Sequence, residues 1–229
     1  MRRIEAADGR EVLQMRVDLG LLQIEMEGRP DGSRPHGAET FLDYLVNLAI
    51  CDGEAFQLTE NDCVEVDREF MQFYNRRTCW LALNEYRLAV RDADHNLALM
   101  DFVAAHAADK SWLEAHEQYR PFILFQRTQA AALDELEHGG AESAIEQFNE
   151  GIDRLRGCLQ PGENESEEDE PQHEEIVTRL IEIREAMRKQ YDVGQTLSEQ
   201  LDEAVALEQY ELAANLRDQI ARRGNDQHD

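Results

Sequence analysis

TLSEQLDEAVALEQYELAANLRDQI, residues 196–220, is the stretch of sequence that decides the fold of this chain. Thr196 and Glu199 are spaced as a capping box, in which a hydroxyl and a carboxylate bond the free N–H groups at the start of a helix. Farther on, two alanines would let two helix backbones approach closely, and four larger residues would fill the seam between them. These residues are Ala213 and Ala214, and Leu201, Tyr210, Leu216 and Ile220. The stretch therefore predicts two short antiparallel helices.

The same stretch resembles the UVR motif of the nucleotide-excision repair proteins UvrB and UvrC, over roughly residues 196 to 223. The order aromatic-Glu-x-Ala-Ala-x-Leu-Arg-Asp-x-apolar, residues 210–220, carries most of the resemblance, and Tyr210 stands where Phe is frequent. In the families that it resembles, the hairpin binds another UVR hairpin, in the same or a different protein, and the two form an antiparallel four-helix bundle. The resemblance therefore implies a protein partner.

Physical reasoning also favours a partner, because a two-helix hairpin is too small to form a self-sufficient core. Adjacent residues on a helix point in different directions, so we expect Arg217 and Asp218 to bond across to the other helix or to the partner, and not to each other. The predicted partner-binding residues are Leu201, Ala204, Val205, Tyr210, Ala213, Ala214, Leu216, Arg217, Asp218 and Ile220.

The segment before the hairpin predicts one amphipathic helix over residues 176–191, with a stripe of apolar residues at steps of three and four. The stripe consists of Ile176, Leu180, Ile183, Met187 and Tyr191. Two arrangements remain open: this helix covers the apolar face of the hairpin and closes a three-helix domain, or that face is left for a partner. Residues 161–175 carry eight carboxylates and two prolines, which predicts an extended acidic linker.

Residues 38–160 predict an all-α body. Helical periodicity begins near Ala38 and ends near Gly53, residues 54–66 form a connector, and a long helix starts near Asp67. Further helices are predicted over 85–105, 111–119, 121–138 and 142–156. The segments 86–97 and 141–152 share a pattern of small residues that resembles the second helix of a tetratricopeptide (TPR) repeat. Two ordinary helical hairpins that pack closely are the alternative.

The N-terminal segment is less regular. Residues 12–26 alternate apolar and polar side chains, which favours a strand, although Leu13, Val17, Leu21 and Ile24 would also share one helical face. Residues 28–37 contain three glycines and two prolines and predict a loop. The predicted fold class is therefore all-α, with four parts. These are an extended segment and loop (1–37), a TPR-like helical body (38–160), an acidic linker (161–175) and a helix with a UVR hairpin (176–223).

The composition limits the possible functions. The formal net charge of −26 disfavours direct binding of nucleic acid, and we expect the neighbouring Arg76, Arg77, Arg87 and Arg91 to be solvated partners of carboxylates. The four cysteines, Cys51, Cys63, Cys79 and Cys158, lack a metal-binding spacing and are expected to be small, buried, reduced thiols. We expect no membrane-spanning segment and a cytoplasmic location.

No short motif with a known catalytic mechanism occurs in the sequence. Glu-x-x-His occurs twice, at Glu135 and at Glu170, but once beside a Gly-Gly turn and once in the acidic stretch. His95, His106 and His116 could converge near Asp92 and Asp94, although histidines satisfied by local hydrogen bonds are the simpler interpretation. We therefore expect no catalytic residues, no metal site and no cofactor.

These observations predict a non-enzymatic adaptor that binds a protein partner through the C-terminal hairpin. One alternative is a DNA-repair accessory protein that binds nucleic acid, and another is a helical-bundle metalloprotein. The chain as a whole also resembles UVR-motif proteins of planctomycete-type bacteria, which implies no biochemistry.

Overall fold

The computed structural model describes residues 1–53, 56–159 and 170–226 of the chain, and the side chains within them apart from those of 170–173 and 223–226. It confirms the predicted helical fold, which places a helical body before a C-terminal hairpin. The helices are α1 (Phe41–Asp52), α2 (Glu60–Ala82), α3 (Tyr86–His106), α4 (Lys110–Glu117), α5 (Arg120–His138), α6 (Ala141–Cys158), α7 (Glu170–Tyr191), α8 (Leu197–Ala206) and α9 (Tyr210–Asp226).

A small antiparallel sheet replaces the extended N-terminal segment of the prediction. Its strands are β1 (Arg2–Glu5), β2 (Glu11–Val17) and β3 (Gly20–Glu25), with β2 in the middle. The strand interpretation of residues 12–26 was therefore right, and the helical alternative was wrong. Leu13 and Ile24 face each other across β2 and β3 and pack with Trp80 and Ala89 of the helical body.

The helical body is built on two long hairpins, α2 with α3 and α5 with α6, and α3 also packs on α5. The helix α2 begins at Glu60, seven residues before the predicted start near Asp67. Its start is fixed by a capping box, because the Thr59 hydroxyl accepts a hydrogen bond from Asp62 N and the Asp62 carboxylate accepts one from Thr59 N. The sequence thus carries the same start signal here as at α8.

The small residues of the two TPR-like segments lie where helices approach each other. Ala89, Ala93 and Asn96 are buried in α3, and Ala144 and Gly151 are buried in α6. A Cβ atom on Gly151 would collide with the side chain of Thr128 on α5. The close packing is therefore real, whereas the assignment of these hairpins to the TPR family stays a prediction.

A buried ion pair joins the sheet to the helical body. Arg76 on α2 donates two hydrogen bonds to Asp92 on α3, at 2.7 and 2.8 Å, and two more to the backbone carbonyls of Glu25 and Gly28. The Trp80 indole also donates to Asp92, at 3.0 Å. Both charges of the pair are almost completely removed from water.

The four arginines that the sequence places together do not form a solvated basic surface. Arg76 and Arg77 are buried, Arg91 is half-buried and only Arg87 is exposed. Burial lowers the pKa of Arg77 to about 10, and the nearby Asp92 carboxylate opposes that shift. The expectation of solvated arginines was therefore wrong for the first two, because the interhelical space closes over them.

A second buried carboxylate fixes the start of α1. Glu69 on α2 accepts hydrogen bonds from the backbone N–H groups of Phe41 and Leu42, at 2.6 and 3.0 Å, and contacts His95 at 3.0 Å. A carboxylate at this position complements the positive end of the helix dipole and satisfies donors that have no partner within the helix.

The remaining histidines and the cysteines are dispersed. His106 and His116 each bond a backbone carbonyl one turn earlier, so the three histidines do not converge. Of the cysteines only Cys79 is buried, and the expectation of burial was wrong for Cys51, which is exposed.

Within the described residues, no group of three or more His, Cys, Asp or Glu side chains is arranged to hold a metal ion. In that same part of the chain, no helix is both long enough and apolar enough to cross a membrane.

The helix α7 packs on the body, against α5 and α6. Its apolar stripe, including Ile176, Leu180, Ile183 and Met187, joins the main core of the protein. The helix begins at Glu170, inside the predicted acidic linker, and residues 160–169 of that linker lie outside the described residues. The division into four parts therefore stays a prediction.

We expect Asp92→Asn to destabilise the protein by about 3–5 kcal/mol, because it leaves the Arg76 guanidinium buried without a compensating charge. The free energy of unfolding in urea, followed by circular dichroism, measures this loss. Asp94→Asn is the matched control, since Asp94 pairs with Arg127 in a half-exposed position and its loss should cost less than about 1 kcal/mol. Equal losses in the two variants would contradict the role of the buried pair.

We expect Gly151→Ala to lower the stability by about 1–3 kcal/mol, because the new methyl group would push α6 away from Thr128. Gly157→Ala is the control on the same helix: Gly157 is exposed, and a methyl group added there would meet no other side chain or backbone atom within 4 Å. There the greater helix propensity of alanine should leave stability unchanged or raise it by up to about 1 kcal/mol. Thermal unfolding of both variants measures the difference, and a Gly151→Ala variant as stable as the parent would refute close packing.

Candidate partner-binding site

The C-terminal hairpin begins with the capping box that the sequence predicts. The Glu199 carboxylate accepts a hydrogen bond from Thr196 N at 2.8 Å, and the Thr196 hydroxyl accepts one from Glu199 N at 3.3 Å. Thr196 is fully buried. The start of α8 is therefore fixed from both sides of its first turn.

A tight turn at residues 207–209 reverses the chain between α8 and α9. Gln209 N donates to the carbonyl of Ala204 at 2.8 Å, and Glu208 N donates to that of Val205 at 3.1 Å. Glu208 has a φ of 58°, the left-handed conformation that ends many helices. The turn lays α9 antiparallel against α8, so that the two helices form the predicted hairpin.

Three of the predicted residues form the seam of the hairpin. Ala204, Ala213 and Leu216 are buried against each other, and Leu197 and Leu201 pack beside them. Ala204 and Ala213 lie where the helices approach, which agrees with the expectation for Ala213, whereas the same expectation for Ala214 was wrong because Ala214 is exposed. Because these three residues are buried against one another, they hold the two helices of the hairpin together. That they also contact a partner stays a prediction.

Four large apolar residues of the hairpin are exposed. Their side chains are between 47% and 69% accessible to solvent, and we call them the apex cluster: Val205, Leu207, Tyr210 and Leu212. The expectation that Tyr210 fills the seam was wrong, because it lies at the first position of α9, beside the turn. Sequence reasoning missed Leu207 and Leu212, which fall outside the seam periodicity although they are large and apolar.

The other predicted residues lie outside the buried seam. Ala214, Arg217 and Asp218 are exposed, and Ile220 is half-buried. Arg217 donates to Asp218 at 3.2 Å, so the expectation that these neighbours would not pair was wrong. Both side chains remain mostly in water, where such a pair contributes little to stability. They are therefore free to exchange this contact for one with a partner.

The base of the hairpin is attached to α7 by charge. The Arg188 guanidinium donates to Glu199 at 2.5 Å and also to the backbone carbonyl of Gly194. Partial burial acts to raise the pKa of Glu199, but the bonds from Thr196 N and Arg188 outweigh it and hold the pKa below its ordinary value. The carboxylate is thus kept ionised where the hairpin meets the body.

The contacts of Arg188 with the base of the hairpin are hydrogen bonds and an ion pair, whereas the apex cluster is exposed in the described structure. The apolar stripe of α7 faces the body. Of the two arrangements left open by the sequence, the structure has the one in which α7 does not close over the hairpin.

Comparison with known proteins agrees with this geometry. Residues 195–222 match the family model of the UvrB/uvrC motif, UVR. No curated protein and no solved structure matches the chain, and the wider resemblance to planctomycete-type proteins stays a prediction. The hairpin formed by α8 and α9 is a UVR motif.

Proposed function

We propose that this protein is a non-enzymatic adaptor that captures a protein partner through the UVR hairpin. The apex cluster is the observation that carries the proposal, because four large apolar side chains on both sides of one turn are exposed to solvent. Burying them against a partner removes apolar surface from water, which is the main favourable contribution to most protein association.

The charge around the hairpin supports a particular kind of partner. Residues 195–222 contain six carboxylates and two arginines, so two copies of this hairpin would repel each other at the rim. A hairpin from a different protein, with basic residues around an apolar centre, fits this surface better, since complementary charge increases association rate and specificity. We propose that the partner is a second UVR hairpin with basic residues around its apolar centre.

The same charge disfavours nucleic acid as the ligand. An acidic surface repels phosphate, and specific nucleic-acid binding normally uses a basic face. The roles in DNA repair and in metal binding stay alternative predictions, as does the cytoplasmic location, and none of them gains support from the hairpin.

We expect Tyr210→Asp to reduce partner binding by at least about 10-fold, because aromatic residues at the centre of an interface often contribute about 2 kcal/mol or more. The full-length chain, immobilised, would be exposed to a cell extract, and retained proteins would be quantified by mass spectrometry. The exposed position of Tyr210 means that the stability of the variant should change by less than about 0.5 kcal/mol.

Ile50→Asp is the matched control, since Ile50 is 75% exposed on α1, a helix that is not part of the hairpin. A protein that is lost with Tyr210→Asp and kept with Ile50→Asp, and whose retention falls as salt is added, would support the proposal. An identical set of proteins retained by the parent and both variants would refute it.

A further inference from the structure

The outer edge of β3 is open. Among the described residues, β3 pairs only with β2. The register places Val17 opposite Gly20 across a two-residue turn, which makes that pair, and every second pair after it, hydrogen-bonded. The backbone groups of Gly20, Leu22 and Ile24 therefore point toward β2, and those of Leu21 and Gln23 point outward.

The next residue along β3 confirms which backbone groups point outward. Glu25 belongs to the same outward set, and its N–H donates to the carbonyl of Pro30 at 2.8 Å. The loop that carries Pro30 thus covers the edge at Glu25, whereas the edge at Leu21 and Gln23 is left uncovered. Residues 20–23 are exposed.

The uncovered part of this edge lacks three of the features by which proteins protect an open strand. Such edges normally carry a charged side chain, a proline or a bulge that prevents another strand from adding. Residues 19–24, LGLLQI, contain none of the charged residues and no proline, in a chain of which 31% is charged. Leu19, Leu21 and Leu22 are also exposed. An exposed strand edge without charge or proline is able to accept a further strand.

We propose that β3 pairs with β3 of a second copy of this chain, antiparallel, to form a continuous six-stranded sheet. With Leu22 on the two-fold axis, Leu21 of each copy lies opposite Gln23 of the other. The four outward backbone groups of each copy then find partners, in the alternation that an antiparallel ladder requires. The two Leu22 side chains meet in the non-hydrogen-bonded pair on the axis, where side chains are closest.

The absence of charged residues from 19 to 24 lets the edge of a second copy approach here without opposed carboxylates. Two molecules that each carry −26 repel wherever carboxylates would be opposed. The paired strands place no charge opposite another from Gly20 to Ile24. Because the loop covers the edge at Glu25, pairing ends there in each copy, and the contact is limited to about five residues per copy. An interface this small makes the dimer transient.

A disulfide at the two-fold axis tests this register directly. Residues in a non-hydrogen-bonded antiparallel pair have Cα atoms about 4.5 Å apart, within the range that a disulfide spans. In the full chain with the exposed Cys51 changed to Ser, Leu22→Cys should form a covalent dimer under mild oxidation at least about 5-fold faster than Leu19→Cys. Leu19 is the more exposed of the two positions, so cross-linking by random collision would favour Leu19→Cys. That result, or equal rates, would overturn the proposal.

Sedimentation of the cysteine-intact chain provides an independent measurement, in a Tyr210→Asp background that excludes association through the hairpin. Gln23→Pro removes an outward N–H group without breaking a hydrogen bond to β2. It should abolish the concentration-dependent dimer, whereas the matched control, Gln23→Ala, should retain it. Circular dichroism establishes that both variants fold. Self-association that is unchanged by Gln23→Pro, or a parent that stays monomeric at the highest concentration, would overturn the proposal without affecting the function proposed for the hairpin.

Discussion

The bidentate contact between Arg76 and Asp92 holds together the parts of this molecule that the chain itself does not connect closely. Its two residues lie on α2 and α3, and the spare donors of the guanidinium reach the backbone that leaves β3. A buried pair of this kind contributes little net stability compared with apolar residues of the same shape, but it tolerates only one geometry. The orientation of the sheet on the helical body depends on this geometry.

The sequence predicted those features that are governed by neighbouring residues. Capping boxes, apolar periodicity and turns give most of the helices and the hairpin, and the box at Thr59 marks the true start of α2, which periodicity alone placed too late. The pair of Arg76 with Asp92 could not be predicted, because its residues are separated by 16 positions. Four arginines close in sequence indicated a solvated surface, whereas tertiary packing buried two of them.

The hairpin shows the same limit at the level of single side chains. Ala213 was correctly expected where the two helices approach, because small residues at helical spacing have few other uses. Ala214 was expected beside it but is exposed, and the buried Ala204 had not been assigned to the seam. Tyr210 was expected in the seam, yet the turn at 207–209 places it at the start of α9, in solvent. The turn, which includes Glu208 in a left-handed conformation, lies directly before the first residues of α9. An error of one residue in where a turn falls is enough to exchange a buried side chain for an exposed one.

A strongly acidic protein meets other molecules under a constraint that both proposed surfaces satisfy in different ways. At the apex cluster, apolar side chains are surrounded by carboxylates, so association is favoured only with a partner whose rim supplies the opposite charge. At the edge of β3, six consecutive residues carry no charge, and the favoured partner is a strand that is also uncharged. A second copy of the chain provides such a strand by symmetry. The net negative charge thus opposes association over the whole surface. Association is favoured only where a surface patch carries no charge or where the partner carries the opposite charge.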